Sequence, residues 1–182
     1  MGRLVVLMGP TGAGKSVQGE LLAKQYDAVH LSSGELLRRD PHALAMMVDG
    51  QLVDADEVER VIGEAIAKVP DKQLVVMDGT PRTQHNIDWM ERELPGLGRE
   101  LVKVVLIDLD IETSLTRLGL RGRDDDAPKA IRAKYKLFQD VTLPVAEHYR
   151  DLGLLVTVDG RGTIEQVNHE IVAALHKEVP AS

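Results

Sequence analysis

The sequence predicts an α/β fold in which residues 1–182 form a single domain around a doubly wound, parallel five-stranded sheet. The main observation is that short apolar runs alternate with helical patterns along the whole chain. This alternation is typical of parallel sheets that are covered by helices on both faces. The composition, with 43% hydrophobic and 28% charged residues, is ordinary for a globular protein. No repeat, low-complexity tract or long linker divides the sequence, which favours one domain over two.

Each strand is predicted from an apolar run, and the helices are predicted from the segments between and after these runs. The predicted strands are Leu4–Met8, Ala28–Leu31, Leu74–Met77, Val102–Ile107 and Leu154–Val158. The predicted helices are Lys15–Tyr26, Gly34–Arg39, Asp56–Lys68, Gln84–Glu93, Ile111–Leu118, Pro128–Leu137, Leu143–Leu152 and Thr163–Lys177. Thr163 and Gln166 have the spacing of a capping box at the start of the last helix. Because parallel strands end at one edge of a sheet, Asp78 and Asp108 are expected there together with the loop after the first strand.

That loop carries the most specific pattern in the chain. Residues 9–16 read GPTGAGKS and match the phosphate-loop pattern G-x-x-x-x-G-K-[ST] between a predicted strand and a predicted helix. Glycines let backbone N–H groups turn inward around an anion, the helix start adds partial positive charge, and the lysine reaches the β- and γ-phosphates. The strand and helix around the loop argue against a plain glycine-rich turn. The sequence therefore predicts a P-loop NTPase-type fold whose triphosphate site includes Gly12, Ala13, Gly14, Lys15, Ser16 and Val17.

Composition excludes several other classes of function. A formal net charge of -7 argues against binding nucleic acid through phosphate neutralisation. No apolar stretch is long enough for a membrane span, and the first residues lead directly into a strand, so no signal peptide is expected. The absence of cysteine excludes disulfides, thiol catalysis and cysteine-ligated zinc. We expect a cytoplasmic monomer whose partners are small-molecule nucleotides, with no nucleic acid and no membrane.

Three further segments narrow the class of enzyme. Residues 30–38 read HLSSGELLR, residues 78–83 read DGTPRT, and residues 121–126 read RGRDDD. Together with the phosphate loop, they resemble the motifs GxPGxGKGTQ, HxSxGDLLR, DGFPR and GRxDD of the adenylate kinase family of nucleoside monophosphate kinases, in the same order and at similar spacing. Weaker resemblances are found at Gly50–Val53 and Val158–Gly160. The likeness extends from Leu4 to about Val172.

The resemblance implies a reversible transfer of the γ-phosphate of ATP to a nucleoside monophosphate, with Mg²⁺ as the metal and AMP as the first candidate acceptor. Arginine suits this chemistry, because its planar fork donates two parallel hydrogen bonds to a phosphate and keeps its charge. By resemblance, Ser16 and Asp78 hold the metal, Asp78 through water. The catalytic residues implied are Lys15, Arg82, Arg121, Arg123 and Lys134.

Two segments are expected to close over the nucleotides by resemblance: an acceptor-binding segment at about 32–62 and a short lid at about 119–126. The donor site adds Arg121 and Gly160 to the phosphate loop. The acceptor site implied consists of Ser33, Arg38, Gln51, Val53, Gly79, Arg82, Asn86, Arg123 and Lys134. Arg38 and Arg82 would bind the monophosphate, whereas Arg121 and Arg123 would hold the triphosphate from the lid.

The chain departs from the family pattern at several positions. Ser16 places the hydroxyl one residue earlier than the family threonine, and Thr80 replaces the phenylalanine of DGFPR. Only Gly122 separates Arg121 from Arg123, so the lid is very short, which predicts weaker exclusion of water and some ATP hydrolysis.

The family's last catalytic arginine maps to Lys134, a point charge without the bidentate fork. Arg132 is roughly 200° away on the same helix and could replace it only after a register shift. The acids Asp124–Asp126 also allow two interpretations. Asp126 caps the following helix, with Pro128 in its first turn, or Asp125 and Asp126 hold the lid and its arginines; both can hold together.

The acceptor base is left open between two alternatives. Ser33 and the segment Gly50–Val53 favour AMP, whereas Asn86, in place of the family's glutamine, is also found in pyrimidine monophosphate kinases that use UMP or CMP. Two other functions remain as alternatives. One is a nucleotide-binding regulator or assembly ATPase that has lost transfer, and the other is a kinase for another small molecule. A signalling GTPase is disfavoured, because the chain has no Asn-Lys-x-Asp motif.

Overall fold

The computed structural model describes residues 1–46, 53–121 and 127–179. Its five strands are β1 (Gly2–Met8), β2 (Val29–Ser32), β3 (Val75–Asp78), β4 (Arg99–Asp108) and β5 (Leu155–Asp159). They form one parallel sheet in the order β2-β3-β1-β4-β5. The predicted five-stranded parallel sheet is confirmed, and β1, which leads into the phosphate loop, lies at its centre.

Helices connect the strands and cover both faces of the sheet. Their bounds are α1 (Lys15–Gln25), α2 (Ser33–Arg39), α3 (Pro41–Met46), α4 (Ala55–Ala67), α5 (Gln84–Glu93), α6 (Ile111–Arg121), α7 (Pro128–Leu137), α8 (Leu143–Asp151) and α9 (Ile164–Leu175). A π-helical turn, Phe138–Thr142, joins α7 to α8. The sequence analysis does not predict α3, because six residues are too few to show a helical period.

The helix starts test two predictions about capping. The predicted capping box is present at α9, where the Thr163 hydroxyl accepts from the Gln166 N–H and Gln166 Oε1 accepts from the Thr163 N–H. The prediction that Asp126 caps α7 is wrong. That helix begins at Pro128, as predicted, so the capping position falls on Ala127, which has no side-chain oxygen to accept a hydrogen bond.

The core consists of two apolar layers, one on each face of the sheet. Leu4 and Val6 of β1 contribute to one layer, and Val5 and Leu7 contribute to the other. All four side chains are fully buried. Because successive side chains of a strand point to opposite faces, this central strand must be apolar at every position, as its sequence shows. A smaller cluster of Leu37, Ala43 and Val61 joins α2, α3 and α4, which lie within the segment that the sequence analysis expects to bind the acceptor.

A buried arginine lies at the edge of the sheet where the strands begin. Arg99, the first residue of β4, is 1% exposed. Its guanidinium donates to the carbonyl oxygens of Val69 at 2.6 Å, Pro70 at 2.9 Å and Gln73 at 2.6 Å. A buried cation is costly unless its donors are hydrogen-bonded, and these carbonyls supply partners for both terminal nitrogens. The buried Nε has no hydrogen-bond partner among the described residues. The contacts fasten the connection between α4 and β3 to the start of β4.

Candidate active site

The phosphate loop follows β1 and is shaped by glycine. Gly12 and Gly14 have φ angles of 81° and 85°, in the left-handed region that favours glycine. A Cβ atom on Gly12 would lie 3.2 Å from Leu118 Cγ and 3.3 Å from Ser114 Cα, so the loop packs closely against α6. Gly14 occupies the N-cap of α1. The loop therefore presents its backbone at the start of a helix, as an anion site requires.

The side chains of the loop complete the donor site. Lys15 Nζ donates to the carbonyl oxygens of Gly9 and Pro10, both at 2.8 Å, so the ammonium lies over the loop. Ser16 and Val17 follow in the first turn of α1, and Ala13 is buried beneath the loop. The residues predicted for the triphosphate site therefore lie together on one loop and one helix end.

A buried carboxylate lies beside this loop at the end of β3. Asp78 is 3% exposed. Its Oδ2 lies 2.7 Å from His30 Nε2, and its Oδ1 accepts from Ser32 Oγ at 3.1 Å. Burial alone would raise the pKa of Asp78, but the hydrogen bond and charge of His30, the charge of Lys15 and the bond from Ser32 lower that pKa below its ordinary value. The carboxylate is therefore held in its ionised form.

The contact between Asp78 and His30 is one that the sequence analysis missed. A Cβ atom on Gly19 would clash with the His30 imidazole, so the glycine in α1 makes room for the ring. His30 precedes Ser32 by two residues in β2, and the register pairs Ser32 with Asp78. Because strand side chains alternate with a period of two, His30 and Ser32 share one face. That spacing was the signal in the sequence that could have assigned His30 to this site.

The predicted acceptor residues Ser33, Gly79 and Arg82 also lie together. Gly79 has a φ of 82°, and a Cβ atom there would clash with Ser33 Oγ and lie 3.4 Å from Arg82 Nη2. Arg82 Nε donates to the Gly79 carbonyl at 2.6 Å. Arg38 bends back along α2, since its Nη1 lies 3.4 Å from where a Cβ of Gly34 would be. Both arginines are exposed and therefore accessible to a ligand.

Asn86 is buried and forms hydrogen bonds with two neighbouring segments of the chain. Its Oδ1 accepts from the Arg82 N–H at 3.2 Å, and its Nδ2 donates to Glu59 Oε1 at 3.2 Å. Glu59, on α4, is 6% exposed and was not predicted as a site residue. The signal was present in the sequence, because Glu59 is three residues before Ile62 and seven before Ile66, on the apolar stripe of the helix.

Elements from the second half of the chain close the donor side. The Gly160 N–H donates to the Asp108 carbonyl at 2.7 Å, and a Cβ on Gly160 would lie 2.6 Å from that oxygen. Arg117, another residue that the sequence analysis missed, donates from Nη2 to the Gly162 carbonyl at 3.1 Å. A cavity of about 290 Å³ opens here between the ends of β4 and β5. Its lining residues are Asp108, Leu109, Asp110, Thr157, Val158, Asp159 and Arg161.

The helix after the lid is anchored over the end of β4. The Tyr135 hydroxyl donates to the Leu109 carbonyl at 3.0 Å, which fixes α7 beside the donor side of the sheet. Lys134 is half-buried on this helix. Arg132 is exposed and pairs with Glu112 of α6 at 3.7 Å, so its guanidinium is directed at that helix.

Some predicted residues are not placed. Gln51 and Arg123 lie outside the described residues, as do Asp125 and most of the predicted lid. Helix α6 ends at Arg121, whose side chain is not described either. Val53, at the start of the next described segment, is half-buried against the cluster formed by α2, α3 and α4.

Among the described residues, two groups of side chains carry oxygen or nitrogen atoms that a cation could bind. Ser16 and Asp78 lie on the phosphate loop and at the neighbouring strand end, as the sequence predicts. Asp56, Glu59 and His85 form a second group on α4 and α5, whose ligand atoms all lie within 4.8 Å of one another.

A phosphate loop, an ionised buried carboxylate and accessible arginines at adjoining strand ends define a phosphate-loop enzyme of nucleotide phosphoryl transfer. The sequence profile of adenylate kinase matches residues 7–154. The chain belongs to the adenylate kinase family, and it is a phosphotransferase that acts as a nucleoside monophosphate kinase.

The chain is similar over almost its whole length to curated adenylate kinases. It is 36% identical to the adenylate kinase of Nocardia farcinica, over 94% of this chain and 98% of the relative. It is 35% identical to the adenylate kinase of Parasynechococcus marenigrum, over 94% and 97% of the two chains. It is 34% identical to that of a Synechococcus species, over 96% and 100%. Among the described residues, no helix is both long and apolar enough to cross a membrane.

Proposed function

We propose that the chain is an adenylate kinase that moves the γ-phosphate of MgATP to AMP and so forms two molecules of ADP. The observation that carries this proposal is the meeting of Ser33, Gly79 and Arg82 beside the phosphate loop. A monophosphate held by Arg82 and Arg38 would have its oxygen directed at the donor phosphates over the end of β1. Positioning and charge neutralisation of this kind are what phosphoryl transfer needs from a protein.

On the donor side, we assign the loop backbone at Gly12, Ala13 and Gly14 to the phosphates and Lys15 to the β- and γ-oxygens. The nucleoside of ATP would bind in the cavity between the ends of β4 and β5. Gly160 lies in the chain between Asp159 and Arg161, which line this cavity. Arg121, Arg123 and Lys134 are proposed to stabilise the charge of the phosphoryl group during transfer, since charge develops on its equatorial oxygens.

The residues present fit a magnesium ion. Mg²⁺ prefers oxygen ligands and keeps several of its waters, and an ionised carboxylate can hold those waters as an acceptor. Asp78 is buried and ionised, and each of its oxygens keeps a lone pair beyond the bonds to His30 and Ser32. The Ser16 hydroxyl would be a direct ligand and Asp78 would act through water. The metal supplies charge neutralisation between the β- and γ-phosphates when it is bound.

No protein group is needed as a general base. The attacking oxygen belongs to the acceptor phosphate, which is already largely ionised at neutral pH. The chain therefore contributes orientation through Arg38 and Arg82, and exclusion of water through closure of the acceptor segment and the lid. Gln51 and Val53 are proposed to border the acceptor base, together with Ser33 and Asn86.

CMP or UMP is the second candidate acceptor. It is favoured by Asn86, which takes the place of the family's glutamine. AMP remains the first proposal, because the Ser33 hydroxyl is present at the position matching the family's threonine, beside Gly79. We further propose that the enzyme works as a cytoplasmic monomer without nucleic acid or membrane partners. The net charge of -7 supports the absence of a nucleic-acid partner.

The test is to measure ADP formation from MgATP with AMP, CMP, UMP, dAMP and GMP offered singly. Preference for AMP supports the proposal, and preference for CMP or UMP would move the enzyme to the pyrimidine branch. ATP hydrolysis without transfer to any acceptor would contradict the proposed reaction.

Paired arginine variants test the acceptor site. Arg82→Ala should lower kcat/KM for the acceptor by about a hundredfold, because a charge-assisted phosphate contact is lost. Arg92→Ala is the matched control, since Arg92 pairs with its neighbour Glu93 at 2.7 Å on the outside of α5. Equal loss in both variants would remove Arg82 from the site.

A further inference from the structure

A buried glutamate lies under the proposed base-binding part of the acceptor site. The Glu59 side chain is only 7% exposed, although it carries a charge. It faces α5, against which α4 packs closely, since a Cβ on Gly63 would lie 3.3 Å from Trp89. A charged group is buried in this way only when it has hydrogen-bond partners, so its contacts define what it does.

The two oxygens of Glu59 have different partners. Oε1 accepts from Asn86 Nδ2 at 3.2 Å. Oε2 lies 3.3 Å from His85 Nε2, which is also 3.2 Å from Asp56 Oδ1. Because His85 holds the second oxygen, the first remains directed at Asn86.

These contacts fix which way the Asn86 amide points. A carboxylate can only accept a hydrogen bond, so the amide end beside Glu59 must be the NH₂ group. A backbone N–H can only donate, so the end beside Arg82 must be the carbonyl oxygen, as the 3.2 Å contact shows. A flip of the amide would place two donors together at one end and two acceptors at the other. Asn86 therefore has one orientation, and beyond its bonds to Arg82 and Glu59 its amide keeps one N–H and one oxygen lone pair that the described residues do not use.

A fixed amide distinguishes two kinds of base. Adenine and cytosine present an amino donor next to a ring-nitrogen acceptor, which complements an amide's oxygen and N–H. Hypoxanthine, guanine and uracil present a carbonyl acceptor next to a ring N–H. These bases would need the amide reversed at the same place. Pairing with the wrong kind leaves buried polar groups unpaired, which is a strong basis for rejection.

We propose that Glu59 is a positioning residue that sets acceptor specificity, and that through Asn86 it selects nucleoside monophosphates with an amino base over those with a keto base. This inference rests on the proposed function of the acceptor site. It applies equally to an AMP enzyme and to a CMP enzyme, and it excludes UMP as the preferred acceptor.

The test compares AMP with IMP, which differ at one ring position by an amino group in place of a carbonyl. The wild type should prefer AMP by at least about tenfold in kcat/KM. Glu59→Gln keeps the size of the side chain but can donate as well as accept, so it no longer forces one amide orientation. We expect this variant to reduce the AMP-to-IMP preference by about fivefold, mainly through KM, since the base lies away from the reacting phosphate.

Glu64→Gln is the matched control, since Glu64 lies on the exposed side of the same helix and pairs with Arg60 at 2.9 Å. It should leave the AMP-to-IMP ratio unchanged. Because a ratio of kcat/KM values does not depend on the fraction of active enzyme, partial unfolding of Glu59→Gln would not obscure the result.

Two results would overturn the inference while leaving the proposed reaction intact: a wild type that uses IMP as well as AMP, or an unchanged ratio in Glu59→Gln. If the wild type prefers pyrimidines, the comparison of CMP with UMP replaces that of AMP with IMP and is interpreted in the same way. A wild type that phosphorylates no monophosphate would instead contradict the proposed function, and the inference with it.

Discussion

The donor side and the acceptor side of the site are built in different ways. The phosphate-binding part of the proposed donor side is one continuous segment, β1, the phosphate loop and α1, whose shape depends on glycines with left-handed φ angles. The acceptor side is assembled from residues of α2, α4, the loop between β3 and α5, and the start of α5. There, Glu59, Asn86 and the Arg82 N–H form one hydrogen-bonded network, and Ser33 lies beside Gly79, three residues before Arg82.

This difference determines how each side tolerates amino-acid substitutions. Backbone N–H groups bind phosphate whatever the neighbouring side chains are, so the donor side is constrained by conformation. Hydrogen bonds between buried side chains depend on every member, so the acceptor side is constrained by chemical identity. We expect donor variants to affect the use of ATP with any acceptor, and acceptor variants to affect the choice and affinity of the acceptor.

The largest effect is expected from Lys15→Ala, which removes the cation over the loop. Transfer should fall by about a thousandfold or more, because the β- and γ-phosphates lose their point-charge partner. Binding of AMP, measured by calorimetry, should change little, and the circular dichroism spectrum should remain that of the folded protein. Retained transfer would contradict the donor-site assignment, whereas loss of AMP binding would show that the two sides are not independent.

A second prediction compares Gly79→Ala with Gly98→Ala. Both glycines have positive φ angles, 82° and 70°, so each alanine costs roughly 1 kcal/mol of backbone strain. At Gly79 the new Cβ meets the acceptor residues, whereas at Gly98 it meets no atom of the described residues within 4 Å. Gly79→Ala should therefore raise KM for AMP by about tenfold and leave KM for ATP unchanged. Equal KM values for AMP in the two variants would mean that the contact between Gly79 and Ser33 does not shape the acceptor site.

Lys134→Arg should give a smaller effect with the opposite sign. An arginine on this half-buried face of α7 would supply the bidentate fork, and we expect kcat to rise by about threefold. Lys136→Arg serves as the control, because Lys136 is exposed and bonds Asp140 at 2.6 Å. Steady-state kinetics decide the question, and no change or a fall in kcat would place Lys134 outside the reaction.

The smallest effect concerns the surface network that holds the acceptor segment. Hydrogen bonds from Arg60 and His42 lower the pKa of Glu57 from 4.5 to about 2. A folded-state pKa below the unfolded value means that this stabilisation is present above pH 4.5 and is lost as the pH falls through about 2. The Tm advantage of wild type over Glu57→Gln should be modest, since the network is near the surface, and should shrink over that interval. A pH-independent difference would show that Glu57 does not act through its charge.

The sequence predicted the strand, loop and helix of the proposed donor side, but only some of the contacts on the acceptor side. Strand β1, the loop and α1 are adjacent in the chain, so a local pattern contains the information that their geometry needs. Ser33, Gly79 and Arg82 were predicted as acceptor residues through motif resemblance, and they lie close together in the structure. Glu59 and His30 were missed, because their partners, Asn86 and Asp78, are distant in sequence and are brought close only by helix packing and strand pairing. The capping prediction for Asp126 failed for a local reason, since the position of Pro128 moves the cap to Ala127.

The hydrogen bonds that Arg99 makes to the connection between α4 and β3 determine how the acceptor side can move. They hold the connection that follows α4, at residues 69–73, against the start of β4 on the edge of the sheet remote from the nucleotides. One end of α4 is therefore tied to the rigid sheet, while Asp56 and Glu59 lie near its other end. A helix that is fixed at one end can pivot about that end but cannot shift as a whole, so its other end moves furthest. Any movement of this helix would therefore be greatest at Asp56 and Glu59, and only slight at the buried guanidinium.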